Sequence, residues 1–276
     1  MNMSSFTERD PFAPIRYVYD VQQVLHYEKS AIQEISVLEC TYFGKVLVLD
    51  GVVQLTEKDE FLYHEMLTQI PLHAHPRPKK VLIIGGGDGG TLREVAKHNI
   101  VKKIDLVELD LRVIEVSKQF LPSVANSFDD PRLKIINADG VRFLEQKDLS
   151  YDVIIVDCTD PVGPAKALFT DNFFNNASHR LAADGLLVAQ TESLHFHRPF
   201  VADVQRRLSK TFEITALYTA PLATYAGNWW TFSIASKKYN PQIQSRTCEV
   251  PTKHYANDVH AHAFLPQSLY QRLMQE

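Results

Sequence analysis

The pattern of apolar and polar positions divides the chain into two textures, with a seam near residues 57–75. In Ile32–Leu38, apolar Ile32, Ile35 and Val37 mix with Gln33, Glu34 and Ser36, as on a half-buried strand. Thr41–Val53 carries two glycine turns, at Gly44 and Gly51, between β-rich runs and predicts hairpins. Thr56 and Asp59 form an S/T-x-x-D start signal for a helix whose Tyr63, Leu67 and Ile70 mark one buried face. Pro71, Pro76 and Pro78 are expected to break that helix and to make a connector.

From Val81 the texture becomes strand–helix alternation. Val81–Ile84 is a continuous apolar run bounded by glycines, typical of a parallel strand covered on both faces. Further strands are expected at Ile104–Leu109, Leu133–Ile136, Tyr151–Val156, Leu186–Ala189, Ile214–Tyr218 and Trp229–Ala235. Amphipathic helices fall between several of them: Val113, Val116 and Phe120 share a face, as do Val201, Val204 and Leu208. Repeated βα units imply a mostly parallel sheet, and in such sheets ligands sit at the carboxyl ends of the strands.

Composition narrows the function classes. The 276 residues are 45% hydrophobic and 22% charged with a net charge of −4, an ordinary globular balance without the basic stripe of a nucleic-acid binder. No apolar run approaches a membrane span, and Met1–Asp10 lacks a signal-peptide core. Cys40, Cys158 and Cys248 are odd in number and far apart, so disulfides and structural zinc are disfavoured and a cytoplasmic setting is expected. The histidine pairs His73/His75, His195/His197 and His260/His262 are expected to be solvated, and Cys158 to be a small buried thiol.

The chemistry gathers at the strand ends. The first strand runs into Gly85-Gly86-Gly87-Asp88-Gly89-Gly90, a G-x-G-x-x-G turn in strand–turn–helix context. Asp88 argues against a pyrophosphate, which needs bare amides there, and for a nucleoside carrying positive charge. Glu108, 18 residues past Gly90, stands where a carboxylate accepts ribose hydroxyls. Asp139-Gly140 follows the next strand and suits an adenine amino group. Asp157 and Asp160 end the fourth strand, ahead of a loop stiffened by Pro161 and Pro164, and Glu192 follows the fifth. Carboxylates crowded at one mouth repel unless a cation fills the space, either a metal or a polyamine. Because no histidine aligns with these acids in sequence, the metal is disfavoured.

Leu49–Gln54, Asp59–Met66, the Gly85–Gly90 loop and Asp157–Pro164 together resemble the polyamine aminopropyltransferases, in particular the spermidine synthases, over nearly the whole chain. The resemblance implies an α/β fold: a small N-terminal β-domain (residues 1–60), then a methyltransferase-like Rossmann domain with a mostly parallel seven-stranded sheet (61–276). It implies a homodimer or homotetramer, without resident cofactor or metal, that transfers an aminopropyl group from decarboxylated S-adenosylmethionine to putrescine. Spermidine and methylthioadenosine would be the products.

Carried over by position, Gln33, Glu108, Asp139, Gly140 and Pro164 would hold the nucleoside and Asp88 the donor's amine. Tyr63, His64, Asp160 and Tyr225 would line the acceptor channel, Glu192 would stand near the far amine, and Asp157 would be the general base. Ala223–Asn228 and Ser193–His197 depart from the family's usual pattern beside the acceptor pocket. Cadaverine, agmatine and spermidine therefore remain alternative acceptors. On this fold an S-adenosylmethionine-dependent methyltransferase is the rival activity.

Overall fold

The computed structural model describes residues 4–10 and 13–275; Met1–Met3 of the N-terminal stretch, Pro11, Phe12 and Glu276 lie outside the described residues. Five antiparallel strands come first: β1 (Ser5–Arg9), β2 (Arg16–Lys29), β3 (Glu34–Cys40), β4 (Gly44–Leu49) and β5 (Val52–Thr56), hydrogen-bonded in sequence order. Both hairpin turns expected from glycine are present. At the second, Asp50 and Gly51 both have positive φ (49° and 81°), the twist that suits a tight two-residue connection. The strand expected at Ile32–Leu38 begins two residues later, because Ser30, Ile32 and Gln33 are tied into a turn by hydrogen bonds centred on Ser30 Oγ.

The helix α1 (Glu60–Ala74) follows, and it departs from expectation twice. Pro71 does not break it: the proline falls in the last turn, and the helix closes at His75, whose amide donates to the Pro71 carbonyl at 3.1 Å. Nor is there one buried face, since every residue but Phe61 and Leu62 is buried. Asp59 does not cap it either. Its carboxylate accepts from Thr56 Oγ1 (2.8 Å) and from the Thr224 amide (2.9 Å), clamping a distant loop to the helix start.

A seven-stranded sheet forms the rest of the framework: β6 (Lys80–Gly85), β7 (Lys103–Glu108), β8 (Leu133–Asn137), β9 (Tyr151–Asp157), β10 (Leu181–Ser193), β11 (Ile214–Pro221) and β12 (Trp229–Ser236). Its spatial order is β11-β12-β10-β9-β6-β7-β8, with β12 alone antiparallel to its neighbours. Val81 and Ile83 pack to one side of β6, with α1 and α2 (Gly90–Ala96); Leu82 and Ile84 pack to the other, with α4 (Gly140–Leu144), α5 (Asp171–Arg180) and α6 (Arg198–Thr211). That two-sided burial explains the uninterrupted apolar run. The predicted face of α3 (Leu111–Phe120), Val113 and Val116, packs on Ile35, Val37, Leu47 and Leu55 and so joins the N-terminal sheet to the rest. Two short helices, α7 (Asn257–His262) and α8 (Gln267–Met274), close the chain.

The sheet order reverses between β6 and β9, which opens a crevice at their carboxyl ends. Gly85, at φ +81°, is paired with Asp157, and a Cβ there would lie 1.9 Å from the Asp157 carbonyl oxygen. Gly85→Ala is expected to lower the unfolding free energy by roughly 1–3 kcal/mol from its backbone dihedral alone. The steric clash adds to that loss, and urea denaturation with intact Cα-level fold by circular dichroism measures the sum.

Candidate active site

A cleft of about 290 Å³ opens at this crevice. It gathers eleven of the twelve residues singled out in the sequence: Gln33, Tyr63, His64, Asp88, Glu108, Asp139, Gly140, Asp157, Asp160, Pro164 and Tyr225. Glu192 is the exception. It lines a second, smaller chamber that shares Asp160 and Tyr225 with the cleft.

Each acid is placed by the end of a strand or the start of a helix. Asp157 is the last residue of β9 and is buried. Its Oδ1 accepts from the Tyr63 hydroxyl at 2.8 Å, while its Oδ2 receives no hydrogen bond from any described residue. Burial, and next the Asp88 carboxylate, push the Asp157 carboxyl up to about 6. Asp88 sits in the glycine loop, where Oδ1 accepts from the Gly90 amide at 2.7 Å. Glu108 ends β7, and its Oε1 accepts from the Asp110 amide at 2.9 Å; burial raises its carboxyl to about 7. Asp139 caps α4, accepting from the Val141 and Arg142 amides at 2.8 and 3.3 Å. Gln33 donates through Nε2 to Asp110 Oδ2 at 3.1 Å, which brings the first sheet to the rim of the cleft.

Sequence spacing aligned no histidine with these acids, but the structure brings His64, which the resemblance placed in the acceptor channel, directly against them. His64 Nε2 stands 3.3 Å from Asp88 Oδ1, and its Nδ1 is 2.7 Å from Glu60 Oε2, which in turn pairs with Arg93 at 2.8 Å. Although burial opposes the charge, the carboxylates of Asp88 and Glu60 raise the imidazole to about 10. The same imidazolium holds Asp88 below the usual carboxylate range against the effect of burial. One ligand atom each from His64, Asp88 and Asp157 lies within 4.8 Å of the others. With both ring nitrogens facing carboxylates, the residue acts as a built-in cation between them. Gly90 makes room for it, since a Cβ there would come within 2.2 Å of the ring.

Other histidine expectations also change. His73, His75, His197 and His260 are buried, not solvated. His73 stacks on Tyr255 and bonds the Gln69 carbonyl at 2.8 Å; His260 bonds the Tyr255 hydroxyl at 2.7 Å. Each buried ring keeps a polar partner, some a helical turn away and others distant in the chain, which offsets the cost of burial. His75 faces Asp184 at 3.7 Å, with Asp152 close by. Its Nδ1 accepts from the Arg77 amide at 3.1 Å, so the proton of the neutral ring lies on Nε2, the atom a metal would need bare. Cys158 lies in the cleft wall, where burial and then Asp157 push its thiol above the ordinary range.

Asp160 and Glu192 face one another at the far side of Tyr225. Burial first, and then the Glu192 charge, raises Asp160 well above the carboxylate range; burial raises Glu192 to about 8, against a hydrogen bond with Asp160 that lowers it. Tyr225 donates its hydroxyl to the Gln54 carbonyl and crosses Tyr63 edge-on at 5.7 Å. The chamber behind them brings in Glu8, Asp10 and Trp230, which were not among the candidate site residues, and His197, the end of the segment expected beside the acceptor pocket. Glu8 and Asp10 read there as ordinary surface charge in a short polar run, so no signal marked them.

Comparison with known proteins bears directly on this geometry. Residues 60–246 match the family model described as the spermine/spermidine synthase domain, and residues 5–57 match the spermidine synthase tetramerisation domain. Polyamine aminopropyltransferase 1 of Aquifex aeolicus is 54% identical over 98% of this chain and 96% of its own. The Bacillus subtilis polyamine aminopropyltransferase is 47% identical over 89% of this chain and 90% of its own. A crystal structure of spermidine synthase in complex with the transition-state analogue AdoDATO superposes with a TM-score of 0.94 at 37% identity, covering 98% of this chain and 94% of the other. Thermotoga maritima spermidine synthase gives 0.93 at 37% identity, with 100% and 95% covered. The chain belongs to the spermine/spermidine synthase family and is an enzyme of the polyamine aminopropyltransferase type.

Proposed function

We propose that the protein transfers the aminopropyl group of decarboxylated S-adenosylmethionine to putrescine, releasing spermidine and methylthioadenosine. The observation that carries this reading is Asp157: a buried carboxylate with one oxygen fixed by Tyr63 and the other unpartnered, in a cleft whose remaining wall suits an adenosine. Glu108 stands to accept the ribose hydroxyls, and Asp139-Gly140 to meet the adenine edge. Asp88 Oδ1 is already engaged by His64 and Gly90, which leaves Oδ2 for the donor's ammonium. The carboxylate of intact S-adenosylmethionine would meet repulsion at the same place, and this disfavours the methyltransferase reading.

The chemistry is an in-line displacement. The carbon under attack is bonded to a sulfonium, a good leaving group, so the step needs a neutral amine held close to that carbon. An alkylamine resembles lysine and is protonated near neutrality, with no lone pair to offer. Asp157 takes that proton; the freed nitrogen forms the new carbon–nitrogen bond as the carbon–sulfur bond breaks and its electrons return to sulfur. Alignment within about 3–3.5 Å supplies much of the acceleration. Each role falls to a side chain of this protein, and no resident cofactor enters. We further propose that the N-terminal sheet assembles the chain into a homodimer or homotetramer, in keeping with its match to the family's tetramerisation domain.

Incubation with decarboxylated S-adenosylmethionine and a panel of putrescine, cadaverine, agmatine and spermidine, with products identified by mass spectrometry, is expected to give spermidine from putrescine as the principal product. A methylated amine formed from intact S-adenosylmethionine would replace this reading with the rival. Asp157→Asn is expected to lower single-turnover transfer at least about 100-fold while leaving donor affinity within a few-fold. The pH dependence follows from the raised carboxyl: below about 6 Asp157 is protonated and cannot act as base, so kcat/KM should fall on the acid side of that value. An acid limb centred near 4, the ordinary carboxylate range, would mean that a different group accepts the proton.

A further inference from the structure

The turn between β2 and β3 is joined to the seven-stranded sheet at Asp110, which is 4% exposed and stands between the end of β7 and the first turn of α3. Asp110 lies behind the cleft wall and bonds two residues that line it, Gln33 and Glu108. Its amide donates to Glu108 Oε1 at 2.9 Å, and its Oδ2 accepts from Gln33 Nε2 at 3.1 Å. The same Oδ2 accepts from Ser30 Oγ at 2.6 Å, and Ser30 Oγ in turn accepts the amides of Ile32 and Gln33, each at 3.0 Å. The other oxygen, Oδ1, caps α3 by accepting from the Arg112 amide at 3.1 Å.

These bonds set the polarity of the wall. A carboxylate only accepts, so the Gln33 side-chain amide turns its nitrogen toward Asp110, and its carbonyl oxygen is left for the cleft. Glu108 is treated in the same way. A main-chain amide occupies its Oε1, while its Oε2 lies against the glycine loop, 2.8 Å from where a Cβ on Gly87 would stand. Two acceptors, one from the first sheet's turn and one from β7, thus serve one cleft. Neighbouring hydroxyls, each with a proton to give, complement them. A glutamine that is already held also loses less side-chain freedom when the ligand arrives.

We propose that Asp110 is a positioning residue of the nucleoside seat: by holding Ser30 and Gln33 on one oxygen it presents the Gln33 carbonyl oxygen beside Glu108, and so makes the first sheet's turn one half of a seat for a vicinal diol. This rests on the aminopropyl-transfer reading and adds to it the residue that orients the donor's ribose. The sheet that matches the tetramerisation domain then also supplies one wall of the donor site.

The test uses the full chain and measures, by calorimetry, the affinity for methylthioadenosine and for its 2′-deoxy and 3′-deoxy forms. In Asp110→Asn the amide oxygen can still cap α3, since Asn and Asp cap helices almost equally well, but an NH2 group now faces Ser30 and Gln33. Two donors then oppose one another, the Gln33 amide turns over, and its nitrogen faces the nucleoside. The variant is expected to bind methylthioadenosine about tenfold more weakly, and the penalty for removing one of the two hydroxyls to collapse to about twofold or less. Asp110→Asn combined with Gln33→Glu restores an acceptor on the cleft side and is expected to recover affinity to within about threefold of wild type. A purely structural role for Asp110 predicts no such recovery.

Arg112→Gln cuts a second link between the same elements, the Arg112–Glu28 pair at 2.7 and 2.8 Å, without touching Gln33. It is expected to leave nucleoside affinity within about twofold. Where Asp110→Asn does not accumulate as folded protein, Ser30→Ala, which loosens the Gln33 turn from Asp110, carries the same test. Unchanged hydroxyl penalties, no recovery in the double variant, or an Arg112→Gln loss equal to that of Asp110→Asn would each overturn the positioning role and leave the aminopropyl-transfer reading standing. If the wild-type chain binds no methylthioadenosine, that reading falls, and this inference with it.

Discussion

The Gly86 amide donates to the Asp157 carbonyl across 2.8 Å, at the point where neighbouring strands β6 and β9 end together. This contact leaves no space for a side chain on Gly85, and it fixes the glycine loop against Asp157. Everything functional in the cleft is measured from it. The loop holds Asp88, the strand end holds Asp157, and their separation is set by main-chain atoms that cannot rotate away. A site whose two substrates must meet at bonding distance gains most from such rigid elements.

The second constraint is electrostatic. The cleft concentrates buried carboxylates that would destabilise the fold if left bare, and three devices manage them. One is the chain Arg93–Glu60–His64–Asp88, in which positive and negative groups alternate from the surface inward. Another is protonation: burial raises Asp157, Asp160, Glu108 and Glu192 toward or beyond neutrality, so part of the charge is absent until a cation enters. The last is capture by main-chain amides, seen in pure form at Glu65, whose oxygens accept from the amides of Lys253, His254 and Tyr255 at 2.7–2.8 Å. That carboxylate anchors the C-terminal segment to α1 and takes no part in the cleft. In the proposed reaction a cationic ligand would favour the ionised forms of these raised carboxyls.

Legibility in the sequence followed how local each signal is. The alternation of β6 through β12 with helices was visible because burial on both faces produces runs of apolar residues, and the strand-end acids were visible because topology puts strand ends at the crevice. Helix α1 misled in two ways. Its buried polar residues include Glu60, Gln69 and Glu65, bonded to partners 25 to 190 positions away, so no polar face marked the helix surface. Pro71 falls where the last turn can lose one amide, a tolerance that depends on where the helix ends. Spacing alone put no histidine beside the acids, and His64 was named only through the resemblance, because it reaches Asp88 across 24 positions, through the vacancy left by Gly90. Glu8 and Asp10 lie nearly 190 positions from His197, and only tertiary packing brings them into one chamber.

Charge balance also says what kind of catalyst this cleft makes for the proposed reaction. The donor's sulfonium loses its positive charge as the attacking nitrogen gains one, so the total charge inside the cleft barely changes as the bond shifts. Acids that attract both cations contribute nearly equally before and during the step; they lower KM more than they raise kcat. The acceleration must then come from two features whose effect is not uniform: the removal of one proton from an amine that otherwise stays protonated, and the alignment of that nitrogen with the carbon. In the proposed reaction Asp157 would perform the first with an oxygen that accepts no hydrogen bond from a described residue. The second would be divided between the glycine loop at the donor end and the acids around Asp160 and Glu192 at the acceptor end. An acceptor held at only one point would retain the attraction and lose the alignment, and that difference separates a binding pocket from a working site.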